Sequence, residues 1–346
     1  MEKSLANNKP LVSIHLLNWN YRKYVDSILG SIKAQTYPNL DVLFIDNASD
    51  DGSYEYAQEK YPEFRYLKND ENLGYAGGHN VGLAQTRGEY VVLLNFDIVL
   101  KPDFIDKLVA VMEANPELGS AACKLYTYDF KENRFTDRFD STGIEIFRSR
   151  RYRDRGQGEQ DQGQYDDKLD ILGPSGAVPI YRTAALQDVY ENHGEYFDND
   201  FFAYLEDIDL AWRLQHRGWK SRFVPEAVAG HERHLKGKTK SGFAGFRENR
   251  QQQSLFLRRM STRNHYWLFW KNERCPHFWK DFIYLVVREK LLIAYQIFFE
   301  PKAFLSLFSA LAKTGIILTK RRKIMETRKA DWKEIAQLFS SSKRFY

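Results

Sequence analysis

Apolar residues come in short, strand-length blocks through the first half of the chain. Tyr90 to Leu94 is continuous and rich in β-formers, the pattern of a strand buried on both faces. Leu11 to Leu17, Asp41 to Ile45, the shorter Phe64 to Leu67, and Leu118 to Leu125 repeat it. Between these blocks the period changes to that of an amphipathic helix: Arg22 to Gln35 carries Tyr24, Val25, Ile28, Leu29 and Ile32 on one face. Further helices are predicted over Tyr54 to Lys60, from about Gly74 to Thr86, and after Pro102, which suits a first helical turn. Strands alternating with helices through short loops predict an α/β fold, a doubly wound and mostly parallel sheet flanked by helices.

Each central strand stops in a polar cluster: Asn18-Trp19-Asn20, Asp46 to Asp51, and Asn95-Phe96-Asp97. A parallel sheet brings such ends to one edge, where open α/β folds bind ligands. An oxygen-bearing pair at i and i+2, such as Asn95 and Asp97, suits a hard cation, but also an Asx turn that caps the next helix. Gly74, Gly77 and Gly78 permit close approach of a ligand to a helix start, or close helix–strand packing. The glycine spacing lacks the GxGxxG pattern, and GxxxxGK[ST] is absent, which excludes a dinucleotide fingerprint and a P-loop.

Arg148 to Lys168 is polar, interrupted by glycines and without apolar period, and is expected to be a mobile loop, a lid or a plain insertion. Val178 to Tyr181 is a short strand, with a helix from Thr183. A helix follows in YLEDIDLAWR, where Glu206, Asp207 and Asp209 crowd its first turn. Carboxylates there cap free N–H groups and favour the dipole, and one beside a cleft can serve as general base. Asp209 and Arg213 are spaced to pair along the helix. Lys220 to Val224 is expected as an edge strand, and His231 after it is either structural or a partner of Asp97 at a cation.

Composition adds a compartment and a polarity. Two cysteines, Cys123 and Cys275, rule out a disulfide framework or a zinc site, and the N-terminus lacks a secretory apolar run, so a cytoplasmic protein is expected. The net charge of +5 hides an asymmetry: residues 233–346 hold 25 Lys and Arg against 8 Asp and Glu. That third is also aromatic in blocks. Asp281 to Phe299 is too charged to span a bilayer, whereas Ala303 to Thr319, at 17 residues, is borderline and runs into Lys320-Arg321-Arg322-Lys323. Monotopic association with an anionic membrane is expected, with a helical dimer core as the rival. No RNA-binding signature supports a nucleic-acid partner.

Taken in order, NWN, DNASDDGS, ENLGYAGGHNVG, LLNFD, GPSGA, YLEDIDLAWR and His231 resemble the inverting family 2 glycosyltransferases of the GT-A fold, especially bacterial rhamnosyltransferases of O-antigen and other surface-polysaccharide assembly. The resemblance covers residues 10 to 235. It implies a transferase domain over residues 1–235 and a basic helical region over residues 236–346 for membrane or acceptor association. It places Asn18, Trp19, Asn20, Asp46, Asn47, Asn72, Gly74 and Asn95 around the donor nucleotide, with Trp19 stacking on a pyrimidine. Asp97 and His231 would hold Mg2+ or Mn2+, and Asp207, beside Glu206, would be the base. Ser175, Gly176 and Arg263 fall on the acceptor side. Asn95 stands where the family's DxD motif has an acid, and Phe96 where a smaller residue or proline is common. The implied partners are a nucleotide-sugar, a lipid-linked saccharide and the inner leaflet of the cell membrane, with an oligomer possible. A different donor sugar (galactosyl, N-acetylhexosaminyl or galactofuranosyl) and a non-catalytic interaction protein on the same fold are the alternatives.

Overall fold

A computed structural model describes residues 9–232 and 242–340. The first eight residues, and the expected boundary between residues 235 and 236, lie outside the described residues. In chain order the elements begin β1 (Val12–Asn18), α1 (Val25–Lys33), β2 (Leu40–Asp46), α2 (Ser53–Lys60), β3 (Arg65–Lys68), α3 (Gly74–Leu83), β4 (Tyr90–Asn95), β5 (Ile98–Leu100), α4 (Phe104–Ala114) and β6 (Leu118–Asp129). They continue β7 (Arg134–Ser141), β8 (Ile144–Phe147), β9 (Tyr152–Asp154), β10 (Asp170–Ile171), β11 (Ile180–Arg182), α5 (Thr183–His193), α6 (Glu206–His216) and β12 (Lys220–His231). The last third holds α7 (Gly242–Gln252), α8 (Leu255–Asn272), α9 (Cys275–Phe299), α10 (Pro301–Phe304), α11 (Ser306–Ala312), α12 (Thr314–Thr327), α13 (Trp332–Gln337) and β13 (Phe339–Ser340).

The main sheet runs β10-β12-β6-β11-β4-β1-β2-β3. β3, β2, β1 and β4 are parallel, and β11 is antiparallel to both β4 and β6. Alternation along the buried strands explains the two helical layers. Val92 and Leu94 join a core with α1 and α4, whereas Val91 and Leu93 face one built with α3, α5 and α6. The sheet is therefore the α/β layer structure that the hydropathy pattern predicts, with a helical extension at its C-terminal end.

Two expectations are corrected. Lys220 to Val224 does not form an edge: the strand continues to His231, pairs in parallel with β6, and is flanked by β10 and β5. Pro225 sits at the register break between Val224 and Val228, which is why the apolar pattern stops there although the strand does not. Arg148 to Lys168 is not a mobile loop. Arg150 is 1% exposed and donates to Glu273 at 2.7 Å and Asp281 at 2.9 Å, while Lys124 pairs with Asp161 and Asp166. Arg150 is buried against charges brought from more than a hundred residues later, so part of this stretch is an ionic seam, while Gln160, Gln162, Asp167 and Lys168 stay exposed.

The last third is welded to the sheet layer. Trp267, Leu268, Ala310, Ile317 and Ile335 share one apolar cluster with Ile144, Phe201, Ile208 and Trp212. No single helix among the described residues is long and apolar enough to cross a membrane. One pair, Pro301–Ala312 and Thr314–Thr327, bent by 62°, meets that test together.

Candidate active site

Strand register assembles the site. Asn18 lies opposite Asp46 on β2, and Leu17 opposite Asn95 on β4, so the three polar ends meet at one edge. Asn18 and Asp46 are fully buried, and the Asn18 amide donates to Asp46 at 2.8 Å and to the hydroxyls of Ser49 and Ser53. They shape the turn from beneath. Asn20, in left-handed backbone at φ +61°, is turned toward the same loop and accepts from the Asp50 amide. Asn47 donates to Asn72 at 3.1 Å and to the Gly74 carbonyl at 3.0 Å, drawing the Asn69–Gly74 loop over the sheet edge. Gly74 has φ +70°, and a Cβ there would lie 2.5 Å from the Phe202 carbonyl oxygen, so only glycine fits.

Above these residues lies a cavity of about 470 Å³. Trp19, Tyr21, Asn47, Asn72, Gly74, Tyr75, Asn95, Phe96 and Asp97 line it from the sheet side; Phe202, Ala203, Ser254, Phe256 and Leu257 close it from later in the chain. Trp19 is 53% exposed at this cavity, an aromatic face available for stacking. Ser175 is not among the lining residues. Arg263 also stays off the lining: its guanidinium donates to the Asp200 carbonyl at 2.7 Å and lies over the Trp267 ring.

Asp97 and His231 meet because β5 pairs antiparallel with β12, setting Ile98 against His231. His231 Nε2 is 3.2 Å from Asp97 Oδ1, and its Nδ1 is 2.7 Å from Asp140 Oδ2. Burial pushes the imidazole down, but Asp97 and Asp140 outweigh it and raise it to about 10. Asp140, at the end of β7, escapes sequence reading because nothing in an alternating strand singles it out. A carboxylate behind one ring nitrogen, with the other nitrogen facing a second carboxylate, is the donor set of a histidine metal ligand. Among the described residues no group of three or more acidic, histidine or cysteine side chains is arranged to hold an ion, so a cation here would draw on Asp97 and on His231 after the imidazolium gives up its Nε2 proton.

The acidic pair sits on the same edge. The Asn95 amide donates to the Ala177 carbonyl at 3.0 Å, and the adjoining Gly176 amide donates to Asp207 Oδ2 at 2.9 Å. Gly176 is thus the bridge between the cavity floor and Asp207, and its carbonyl accepts from the cavity-lining Tyr75 hydroxyl at 2.6 Å. Burial pushes the Asp207 carboxyl up to about 6; the Gly176 amide opposes and the Asp154 charge adds. Glu206 is more deeply enclosed, and burial together with the Asp207 charge drives its carboxyl well above the ordinary range. Burial thus raises both carboxyls, Glu206 the further, which separates their environments. Asp209 does pair with Arg213, at 2.8 Å, in a fully buried contact. Phe202, Tyr204 and Leu205, which precede the pair, have φ of +63°, +70° and +70°. Left-handed backbone costs a non-glycine residue about 1–2 kcal/mol, so this loop is held rather than relaxed.

The fold is of the GT-A type, a sheet flanked by helices with its polar strand ends gathered at one edge. The family profile described as Glycosyl transferase family 2 matches residues 13–182, a little under half of the chain, which is similar to that family over this stretch. An uncharacterized glycosyltransferase of Haemophilus influenzae is 32% identical over 114 residues. The chain spans about a third of the length of the first curated relatives it matches. The N-acetylglucosaminyl-diphospho-decaprenol L-rhamnosyltransferase of Mycobacterium tuberculosis is 28% identical over 232 residues, 62% of this chain and 74% of that one. Among solved structures, the mannosyltransferase PcManGT from Pyrobaculum calidifontis in complex with GDP-Man and Mn2+ aligns over 93% of this chain and 87% of its own, at 18% identity and a TM-score of 0.50. That likeness is one of fold.

Proposed function

We propose that the chain moves a sugar, rhamnose from dTDP-rhamnose as the leading choice, from a nucleotide diphosphate to a hydroxyl of a lipid-linked saccharide, inverting the anomeric centre. The observation that carries this reading is the Gly176 bridge, which ties a partly desolvated carboxylate to Tyr75 on the wall of a cavity that Asp97 also lines, with His231 behind Asp97. Trp19, Asn47, Asn72 and Gly74 are the donor-binding surface, with Asn18 and Asp46 supporting it. Asp97 and His231 would hold Mg2+ or Mn2+, the latter being the ion named for the Pyrobaculum structure; when bound, it supplies positive charge to a leaving diphosphate. Asp207 takes the proton of the acceptor hydroxyl. The oxygen forms its bond to the anomeric carbon as the bond to the diphosphate oxygen breaks, with the electron pair leaving on phosphate. The sugar rests on the rhamnosyltransferase relative, and galactosyl, N-acetylhexosaminyl or galactofuranosyl transfer is the alternative. A screen of dTDP-, UDP- and GDP-sugars with Mn2+ is expected to raise the melting temperature most with dTDP-rhamnose. A larger rise with another donor reassigns the sugar, and no rise with any donor removes the reading.

We also propose peripheral binding to an anionic bilayer on the cytoplasmic side, in the service of polysaccharide assembly. Fifteen of the eighteen large apolar residues exposed among the described residues lie between Phe243 and Leu318, including Trp279 at 69%, Ile283 at 73% and Phe298 at 79% exposure. Such a surface calls for an apolar partner. The excess of Lys and Arg in the same third argues for anionic lipid over a second copy of an equally basic surface. Binding to phosphatidylglycerol vesicles, weakened by Ile283→Glu with Phe298→Glu, is expected. A dimer in sedimentation without vesicle binding contradicts it.

A further inference from the structure

We propose that Asn264, in the C-terminal third, is a positioning residue for the catalytic carboxylate; the proposal rests on Asp207 being the base. The loop before Glu206-Asp207 is the wall between two functions. Phe202 and Ala203 line the cavity, and four residues after Ala203 the base emerges from the first turn of α6. Its left-handed backbone at Phe202, Tyr204 and Leu205 breaks the regular ladder, so the carbonyls of Phe201, Ala203 and Tyr204 turn toward α8.

Asn264 supplies the missing donors. Its side chain is fully buried, and Nδ2 contacts the carbonyls of Phe201 at 3.0 Å, Ala203 at 3.0 Å and Tyr204 at 2.8 Å. Arg263 holds the Asp200 carbonyl and the Asn264 Oδ1 together, which fixes the orientation of the amide. The Phe202 carbonyl accepts from the Ala76 amide, and that of Leu205 from Asp209. Every carbonyl from Asp200 to Leu205 is thereby bound. An amide with two hydrogens facing three acceptors is saturated; the Phe201 carbonyl also accepts from the Ala203 amide at 2.7 Å, whereas those of Ala203 and Tyr204 turn to Asn264.

The same helix grips the base helix a second time. Two turns beyond Asn264, Lys271 and Asn272 of α8 bind the buried Asp209 at 2.9 and 2.8 Å. Positions 264, 268, 271 and 272 share one face of α8, and that face meets α6. The N-terminal turn of α8 meanwhile lines the cavity with Phe256 and Leu257. A helix outside the stretch that carries the family motifs thus fixes both the base and one wall of its pocket.

Asn264→Ala is expected to lower kcat about 10–100-fold, the scale of a displaced catalytic group, with donor affinity in Mn2+ changed less than threefold. It should also shift the acid limb of the pH–kcat profile below the wild-type position near pH 6, because a loosened loop admits water to the Asp207 carboxyl. Asn264→Gln, which keeps the amide, should recover part of the loss. Should Asn264→Ala not fold, Arg263→Ala and Asn264→Ser carry the same readouts. Unchanged kcat and pH limb in a folded variant overturn the positioning role, as does a loss of donor affinity as large as the loss of kcat. Measuring Asp207→Asn in parallel separates the cases: an active Asp207→Asn removes the base assignment itself, whereas an inactive one beside a fully active Asn264→Ala removes only this inference.

Discussion

Asp207→Asn is expected to slow sugar transfer by about 10²–10⁴-fold, the usual contribution of a general base, while donor affinity in Mn2+ stays within about twofold. The amide keeps the shape but has one oxygen for the two backbone amides, of Gly176 and Ile208, that the carboxylate accepts from, and it cannot take a proton. The variant should not be destabilised at pH 7. An acid whose folded value lies above its ordinary one stabilises the fold most when protonated, and that contribution is lost as pH rises through about 6. Asparagine mimics the neutral form, which offsets the one backbone hydrogen bond it gives up, so its melting temperature at pH 7 should stay close to that of the wild type. For the same reason wild-type kcat should fall as pH drops through about 6, where the carboxylate is neutralised. Single-turnover rates, donor titrations and melting curves across pH 5–8 check the three parts together. A variant that loses donor affinity in step with activity would make Asp207 a binding or structural residue.

The second large effect concerns the cation. Mn2+ is expected to strengthen nucleoside-diphosphate binding to the wild type, and Asp97→Ala to abolish that strengthening. Asp140→Ala, which removes the carboxylate behind His231, should cost about 10–100-fold in metal affinity. The effect should be confined to metal: binding of the nucleoside alone, which the Trp19 surface serves, should survive in both variants. Titration calorimetry with dTDP and with thymidine, each with and without Mn2+, distinguishes the outcomes. Asn95 makes this prediction pointed. A neutral amide stands where the family pattern has a carboxylate, so the protein charge facing the ion comes from Asp97, and losing it leaves little to replace it.

The parts of this site that were legible in the sequence are those that depend on strand ends. The apolar runs of β1, β2 and β4 specify a buried parallel sheet, and once they are parallel the Asn18, Asp46 and Asn95 clusters must share an edge. The place of the acid pair was legible too, since Glu206-Asp207 stands at the entry to a helix; the burial that raises it was not. What sequence did not disclose depends on side chains meeting across long separations. The pairing of Asp140 with His231 follows from β7 and β12 both bordering β6. Arg150 reads as solvated until Glu273 and Asp281 are placed beside it. Asn264 stands in an arginine-rich stretch whose charge drew attention to lipid head groups, whereas Arg263 and Asn264 turn inward to a loop sixty residues earlier. Ser254, Phe256 and Leu257 carry no local mark at all; they reach the cavity only because α8 packs on α6.

The most direct measurement is anomalous diffraction at the manganese edge from crystals grown with Mn2+ and dTDP. One peak within coordination distance of Asp97 and His231, with the diphosphate on its far side and its terminal phosphate facing Asp207, is the expected result. A nucleotide bound elsewhere, or a peak that leaves Asp97 and His231 without metal, would contradict a single cavity serving both donor and base.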